Sequence, residues 1–224
     1  MTDYIEFDKL KQEMLVFIRN QDILSIAQRG VTTDTDTGTF SADTTHLIAL
    51  STIRNIRSIT VAGSPLVFGT DYTVEYTFDD SSVYKCKITF TSAQTGDYVI
   101  TYDTGDTDKV GMEYSAETLT RDDVPFITVD YGPSPTRPGG MGNVNETDIY
   151  FSLTILDTDT QRIELLKSNA RKVIIANATS FYYMKSKYIS PVGNGSILPS
   201  PNNPTQKILQ LTLEFKSPFN YEKN

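Results

Sequence analysis

Apolar and polar residues alternate with a period of two through the middle of this chain, and with a period near that of a helix at its start and again around residue 165. At the start, Phe7, Leu10, Met14, Phe17 and Ile18 fall at three-to-four spacing, which predicts one apolar face of a helix. Asp3 with Glu6 three residues later has the spacing of a capping arrangement. The pattern fades near Arg29-Gly30, where glycine suits a helix end.

From about Phe40 to Tyr102 the period changes to two. Tyr72, Val74, Tyr76 and Phe78 alternate with Thr73, Glu75 and Thr77; Tyr84, Cys86, Ile88 and Phe90 alternate with Lys85, Lys87 and Thr89. Such alternation places each set on one face of a strand. Turn residues at Gly63-Ser-Pro65, Asp79-Asp-Ser-Ser82 and Ala93-Gln-Thr-Gly96-Asp97 separate the runs. Short strands at near-regular spacing predict a small sandwich or partial barrel. Residues 31–45, rich in Thr, Asp and Gly, read as a linker or a polar edge strand entering this block, and Thr104-Gly-Asp-Thr-Asp108 reads as its exit.

Beyond the exit, Val124-Pro-Phe-Ile-Thr-Val-Asp130 predicts a strand whose Pro125 belongs near its beginning. Ile149, Phe151, Leu153 and Ile155 predict a second strand, and Leu209, Leu211, Leu213 and Phe215 a last one. Between these two, Thr158 with Gln161 has capping-box spacing, and Ile163, Leu166, Ala170, Val173, Ile174, Ala178 and Phe181 trace one face of a long helix. Two loops dense in Pro and Gly or Asn fill 131–147 and 190–205. The expected fold is therefore α+β: a sheet with helices packed on one face, formed by 1–36 and 108–224, interrupted by an all-β module at 37–107.

Composition narrows the chemistry. Hydrophobic residues make up 38% of the 224, enough for a packed core. The single cysteine, Cys86, excludes an intramolecular disulfide and reads as a small core residue. His46 is the only histidine, so a multi-histidine metal site is excluded by count; beside Leu47 and Ile48 it reads as a strand residue. Asp34-Thr-Asp36-Thr-Gly38 matches an EF-hand start only in part, because Gly38 comes one position early and Thr45 replaces the bidentate Glu. Asp103, Asp106 and Asp108 have a spacing that would suit Ca²⁺, against the preferred reading of a solvated acidic linker. Gly139-Gly140-Met-Gly142 lacks the Gly-Lys-Ser/Thr ending of a phosphate loop. No pair of carboxylates is singled out by spacing, so the expectation is a protein without enzymatic activity and without a cofactor.

No apolar run approaches the roughly 20 residues that span a bilayer. Met1 leads directly into an acidic amphipathic stretch, so the expected site of synthesis and assembly is a cytoplasm, where the sequons at Asn145, Asn177 and Asn194 are chance matches. The net charge of −8 and the absence of a Lys/Arg block argue against gripping nucleic acid. An acidic surface fits two readings that composition does not separate: one that lets DNA pass without sticking, and ordinary solubility.

Several stretches together resemble tail-terminator, or tail-completion, proteins of long-tailed viruses. They are the N-terminal amphipathic helix, Arg121-Asp-Asp-Val-Pro-Phe-Ile-Thr-Val-Asp130 and the Gly/Pro loop after it, Asp148-Ile-Tyr-Phe-Ser-Leu-Thr-Ile155, the helix from Gln161, Tyr188-Ile-Ser-Pro191 and Gln210-Leu-Thr-Leu-Glu-Phe215. The inserted block, with Val61-Ala-Gly63, Gly69-Thr-Asp-Tyr72 and Gly96-Asp-Tyr-Val-Ile-Thr-Tyr102, looks like the Ig-like modules that decorate virion proteins; a plain terminator lacks it. The resemblance implies a virion subunit of the tail or neck that forms a homo-oligomeric ring, a hexamer in the family. Such a ring caps the tail tube, joins it to a head–tail connector or stopper protein, and lets DNA through its lumen without specific binding. A ring needs two different patches per subunit. The two loops supply the candidates: Arg137, Pro138, Gly139, Gly140 and Met141 in the first, Val192, Asn194 and Ile197 in the second. The alternatives are another virion subunit (connector, tail tube or baseplate), or a binding module that recognises a host or capsid ligand through the β insert.

Overall fold

The computed structural model describes residues 7–49, 52–80, 83–111, 119–132, 136–138, 144–183, 188–200 and 207–222. Strand predominates among the described residues, so sheet rather than helix carries the architecture of this α+β chain. Two compact units divide it: Met1–Leu24 with Lys109–Asn224, and Ser25–Asp108. The first boundary thus falls at Ser25, not at Thr37, because of the two readings of the polar stretch, linker or edge strand, the edge strand is the one that forms. The opening helix α1 (Phe7–Asn20) belongs to the discontinuous unit and stops well before Arg29.

The contiguous unit begins with a single helical turn, α2 (Ile26–Arg29). Ser25 and Gln28 cap it reciprocally, and Gly30 closes it at φ 77°, a left-handed conformation that glycine adopts without steric cost. Then come β1 (Thr32–Ile48), β2 (Ile53–Val61), β3 (Ser64–Leu66), β4 (Tyr72–Asp80) and β5 (Val83–Thr104) in one antiparallel sheet. Its order is β1-β5-β2-β3, with β4 also on β5. The turn expected at Ala93–Asp97 is absent: β5 is continuous from Val83 to Thr104. Both β1 and β5 bend there, with register shifts around Asp43 opposite Gln94. One half of β5 pairs with β4 and the end of β1, the other with β2 and the start of β1. The sheet folds over a core of Ile56, Ile59, Ile88, Ile100, Cys86, Phe40 and their neighbours. The Ile56 N–H donates to the Tyr76 hydroxyl at 3.2 Å and so joins β2 to β4 across the fold. The sheet does not close into a barrel.

The discontinuous unit holds the second sheet. Its strands are β6 (Val110–Gly111), β7 (Phe126–Gly132), β8 (Thr136–Pro138), β9 (Val144–Asp157), β10 (Ser190–Pro191), β11 (Leu198–Pro199) and β12 (Leu209–Glu222). The central order is β10-β12-β9-β7-β6. Register aligns Ile127 with Ile155 and Leu211, Val129 with Leu153 and Leu213, and Tyr131 with Phe151 and Phe215. These rows share one face, because residues two apart point the same way. Helix α3 (Thr160–Ala176) and α1 cover them with Ile163, Leu166, Ala170 and Ile174, and with Leu10, Met14 and Ile18, in one buried cluster. The opposite face carries Thr128, Thr154 and Thr212 in register, with the Thr154 and Thr212 hydroxyls 3.1 Å apart.

Carboxylates fix the helices. Asp159, not Thr158, caps α3, accepting from the N–H of Gln161 at 2.8 Å. Two residues earlier, the fully buried Asp157 receives the Arg162 guanidinium and the Thr158 N–H. Glu13 on α1 accepts from the backbone N–H groups of Tyr182 and Tyr183, stitching α1 to the turn after α3. The Tyr131 hydroxyl donates to the Leu10 carbonyl at 3.1 Å; burial, then the nearby Glu13 charge, pushes its pKa well up.

The pairing of 32–36 with 100–104 sets the limits of the β unit. A fragment spanning 25–108 is expected to unfold in one cooperative thermal transition by circular dichroism. A 37–107 fragment, lacking Arg29 and the first third of β1, is expected to show none; equal cooperativity in the two would overturn this boundary.

Candidate functional site

Two places gather the polar residues flagged by the sequence. The first is the base of the contiguous unit. Asp103 on β5 and Arg29 on α2 are fully buried, and Arg29 Nη1 meets Asp103 Oδ2 at 2.7 Å. Asp108 takes the other side of the same guanidinium, at 3.1 Å from Nε and 2.6 Å from Nη2. Arg57 on β2 reaches Asp103 Oδ1 at 2.5 Å, and the Thr33 hydroxyl donates to that oxygen at 3.0 Å. Two arginines against two aspartates leave the cluster neutral. Burial alone would raise the Asp103 pKa, but hydrogen bonds from Arg57 and Arg29 together hold it below the usual carboxylate range.

This cluster is therefore neither of the expected alternatives at the module exit. Asp103 is not a solvated linker residue, and the lone pairs that Ca²⁺ would need are taken by guanidinium and hydroxyl donors. Among the described residues no group of three or more metal-ligating side chains assembles. Cys86 is buried, and burial pushes its thiol up to about 12, so it sits in the core as a small apolar residue. His46 lies on β1, its Nε2 2.7 Å from Asp36 Oδ2, with its ring edge-on to Tyr98.

The second place is the edge of the scaffold sheet. The 190–205 stretch, expected as a loop, instead runs through 190–199 along the outer edge of β12. Ser190 and Pro191 pair with Lys216 and Phe215, and the Val192 N–H donates to the Glu214 carbonyl at 2.8 Å. Pairing resumes with Leu198 opposite Gln210. Between these points residues 193–197 face residues 211–213, so the edge carries two extra residues and bulges. Gly195 makes the bulge pass close to β12: it sits at φ 61°, and a Cβ there would lie 2.6 Å from the Thr212 carbonyl oxygen.

The predicted residues of this segment have distinct roles. Ile197 turns inward and packs against the scaffold core. The Asn194 Oδ1 accepts from Arg171 Nη1 of α3 at 2.7 Å, which ties the bulge to the helix. Val192 points outward, 47% exposed. Leu198, 61% exposed, joins the segment without having been among the predicted residues; with Ser196, Pro199, Gln210 and Thr212 it lines a cleft of about 380 Å³. The Gln210 Oε1 is buried there without a hydrogen-bond partner among the described residues. The signal for Leu198 is an apolar Ile-Leu-Pro run inside a loop composition; Arg171 and Gln210 carry none, because their roles depend on which elements lie beside them.

Arg137 and Pro138 of the first loop lie on β8, paired with Glu146 and Asn145. Because β12 occupies one side of β9 throughout, β8 takes the other side. The structure thus places the two candidate segments on opposite edges of one sheet and does not bring them together. Gly139, Gly140 and Met141 lie outside the described residues. No described helix is long and apolar enough to cross a membrane. Neither a protein-family model nor a curated protein matches the chain.

Two outcomes check these assignments. Since the folded Asp103 pKa is lowered, its stabilising contribution is present above the ordinary carboxylate range and is lost as pH falls through and below it. Arg29→Met should accordingly destabilise the 25–108 unit by about 3–5 kcal/mol at neutral pH in urea titration, and added Ca²⁺ should leave its midpoint unchanged. Gly195→Val should speed amide hydrogen exchange across 190–200 while leaving that of β9 and the middle of α3 as it was; protection retained at 190–200 would refute the close-approach account.

Proposed function

We propose that the chain is a structural subunit of a virion neck, a tail terminator that assembles into a ring on the tail tube. The ring docks the head–tail connector or stopper protein and carries no enzymatic step. The observation that carries this reading is the pair of segments on opposite edges of the scaffold sheet. A head-to-tail ring closes only if each subunit offers two different surfaces to its neighbours. The 190–199 edge and the β8 edge are two such surfaces on one rigid element.

The 190–199 edge has the chemistry of an interface. Its backbone is held by β12, by Gly195 and by the Arg171–Asn194 hydrogen bond, so little order remains to be gained on binding. It shows Val192 and Leu198 to the surface, with Tyr188, 56% exposed, just before it. Gln210 Oε1 offers a buried acceptor to a donor from outside. The net charge of −8 suits a ring whose lumen passes DNA without holding it. A folded-over single sheet supports the Ser25–Asp108 unit as an all-β decoration of such a subunit; an Ig-like relationship would call for two packed sheets.

Light scattering of the concentrated protein, alone and mixed with tail tubes of the virus that encodes it, together with negative-stain images, tests this reading. The expected result is a closed ring that caps tubes. Leu198→Asp should retain the wild-type melting temperature and lose the ring. A protein that stays monomeric and never caps tubes would sink the proposal.

A further inference from the structure

The chain contains one Asn-Gly dipeptide, Asn194-Gly195, and the fold places it where its own chemistry can proceed. Both residues are exposed, on the bulge and outside any paired strand. Gly195 has no side chain to shield its amide nitrogen, and that N–H makes no hydrogen bond among the described residues. Glycine is required there by the positive φ and by the Thr212 carbonyl, so the fold itself imposes the glycine of this Asn-Gly bond. Across from it, Arg171 holds the Asn194 Oδ1 at 2.7 Å, and among the described residues no carboxylate pairs with this arginine.

We propose that Asn194-Gly195 is a self-modification site, at which intramolecular deamidation produces a carboxylate that Arg171 receives. The backbone nitrogen of Gly195 attacks Asn194 Cγ and forms the new C–N bond of a five-membered succinimide. The Cγ–Nδ2 bond breaks, and Nδ2 leaves as ammonia with the proton given up by the Gly195 amide. Water then adds to one imide carbonyl. Opening at Cγ gives aspartate at this position; opening at the main-chain carbonyl gives isoaspartate, with the chain continuing through the former side chain. One ammonia leaves, one water enters, and nothing is oxidised or reduced.

The consequence is electrostatic. A neutral amide oxygen facing a guanidinium becomes a carboxylate facing it, so a hydrogen bond charged on one side only becomes a surface ion pair. The aspartate product therefore tightens the tie between the 190–199 edge and α3 and adds one negative charge to this edge. The site stands independently of the ring assignment, since it needs only the folded subunit.

The test is peptide mapping by mass spectrometry of the full-length protein held in mildly alkaline buffer under native conditions. The peptide containing residue 194 is expected to gain the mass that accompanies exchange of NH2 for OH. Asn194→Gln, whose longer side chain disfavours the ring, is expected to keep its amide. Asn194→Asp, which supplies the product directly, should melt about 1–2 °C above wild type at low salt, and Arg171→Met should remove that gain. An Asn194 that persists in the folded protein while the same position converts in urea would overturn the proposal. So would a thermal gain of the Asn194→Asp variant that survives the loss of Arg171.

Discussion

Three in-register rows of apolar residues across β7, β9 and β12 are the constraint on which the scaffold depends. Ile127, Ile155 and Leu211 form the first, Val129, Leu153 and Leu213 the second, and Tyr131, Phe151 and Phe215 the third. All are buried, and at roughly 25 cal/mol per Å² of apolar surface removed from water their face must be covered. A slip of one residue would turn every one of these side chains to the threonine face. The rows therefore fix the register of the sheet, and the sheet then fixes where α1 and α3 lie. Glu13 and Asp157 secure what the apolar rows position: Glu13 uses backbone donors of Tyr182 and Tyr183 that only this packing brings within reach, and Asp157 takes its donors from the start of α3 itself.

The contiguous unit solves a different problem. Its core is made by folding one sheet over itself, so two long strands must bend, and the unit must be pinned where the chain enters and leaves. The pin is ionic. Arg29 near the entry is clasped by Asp103 and Asp108 near the exit, and Arg57 completes the neutralisation. Removing a single member of such a buried set leaves an uncompensated charge, which is why the pin acts as one unit.

The edge segment joins structure to function. Residues 190–199 expose apolar side chains yet are not free to move, because β12, Gly195 and Arg171 each hold one part of them. A partly apolar sheet edge with a cleft beside it suits contact with another protein, as the proposed function requires. The segment at β8 lies on the other side of β9, so the sheet has two different edges, as the proposed ring would need. The same bulge holds Asn194-Gly195 in the open, which is what the proposed self-modification uses.

Much of the architecture is legible from period alone. The alternation in 149–155 and 209–215, the helical stripe from Ile163 and the break in pattern around the β block follow from side chains that must face water or one another, and this is written locally. Cys86 as a core residue and His46 as a strand residue are legible for the same reason. Everything that depends on distant partners comes from the fold instead. Residues 31–45 carry no apolar stripe, so only pairing with 89–104 makes them a strand. Composition marks 190–205 as loop, because an edge strand is satisfied on one side only and needs little apolar patterning. Asp103 reads as a linker acid until Arg29, 74 residues earlier, comes to lie beside it. Local patterning settles which residues must be buried. Which charges, edges and glycines meet is settled by the folded chain, since those meetings join residues far apart and leave no local period to read.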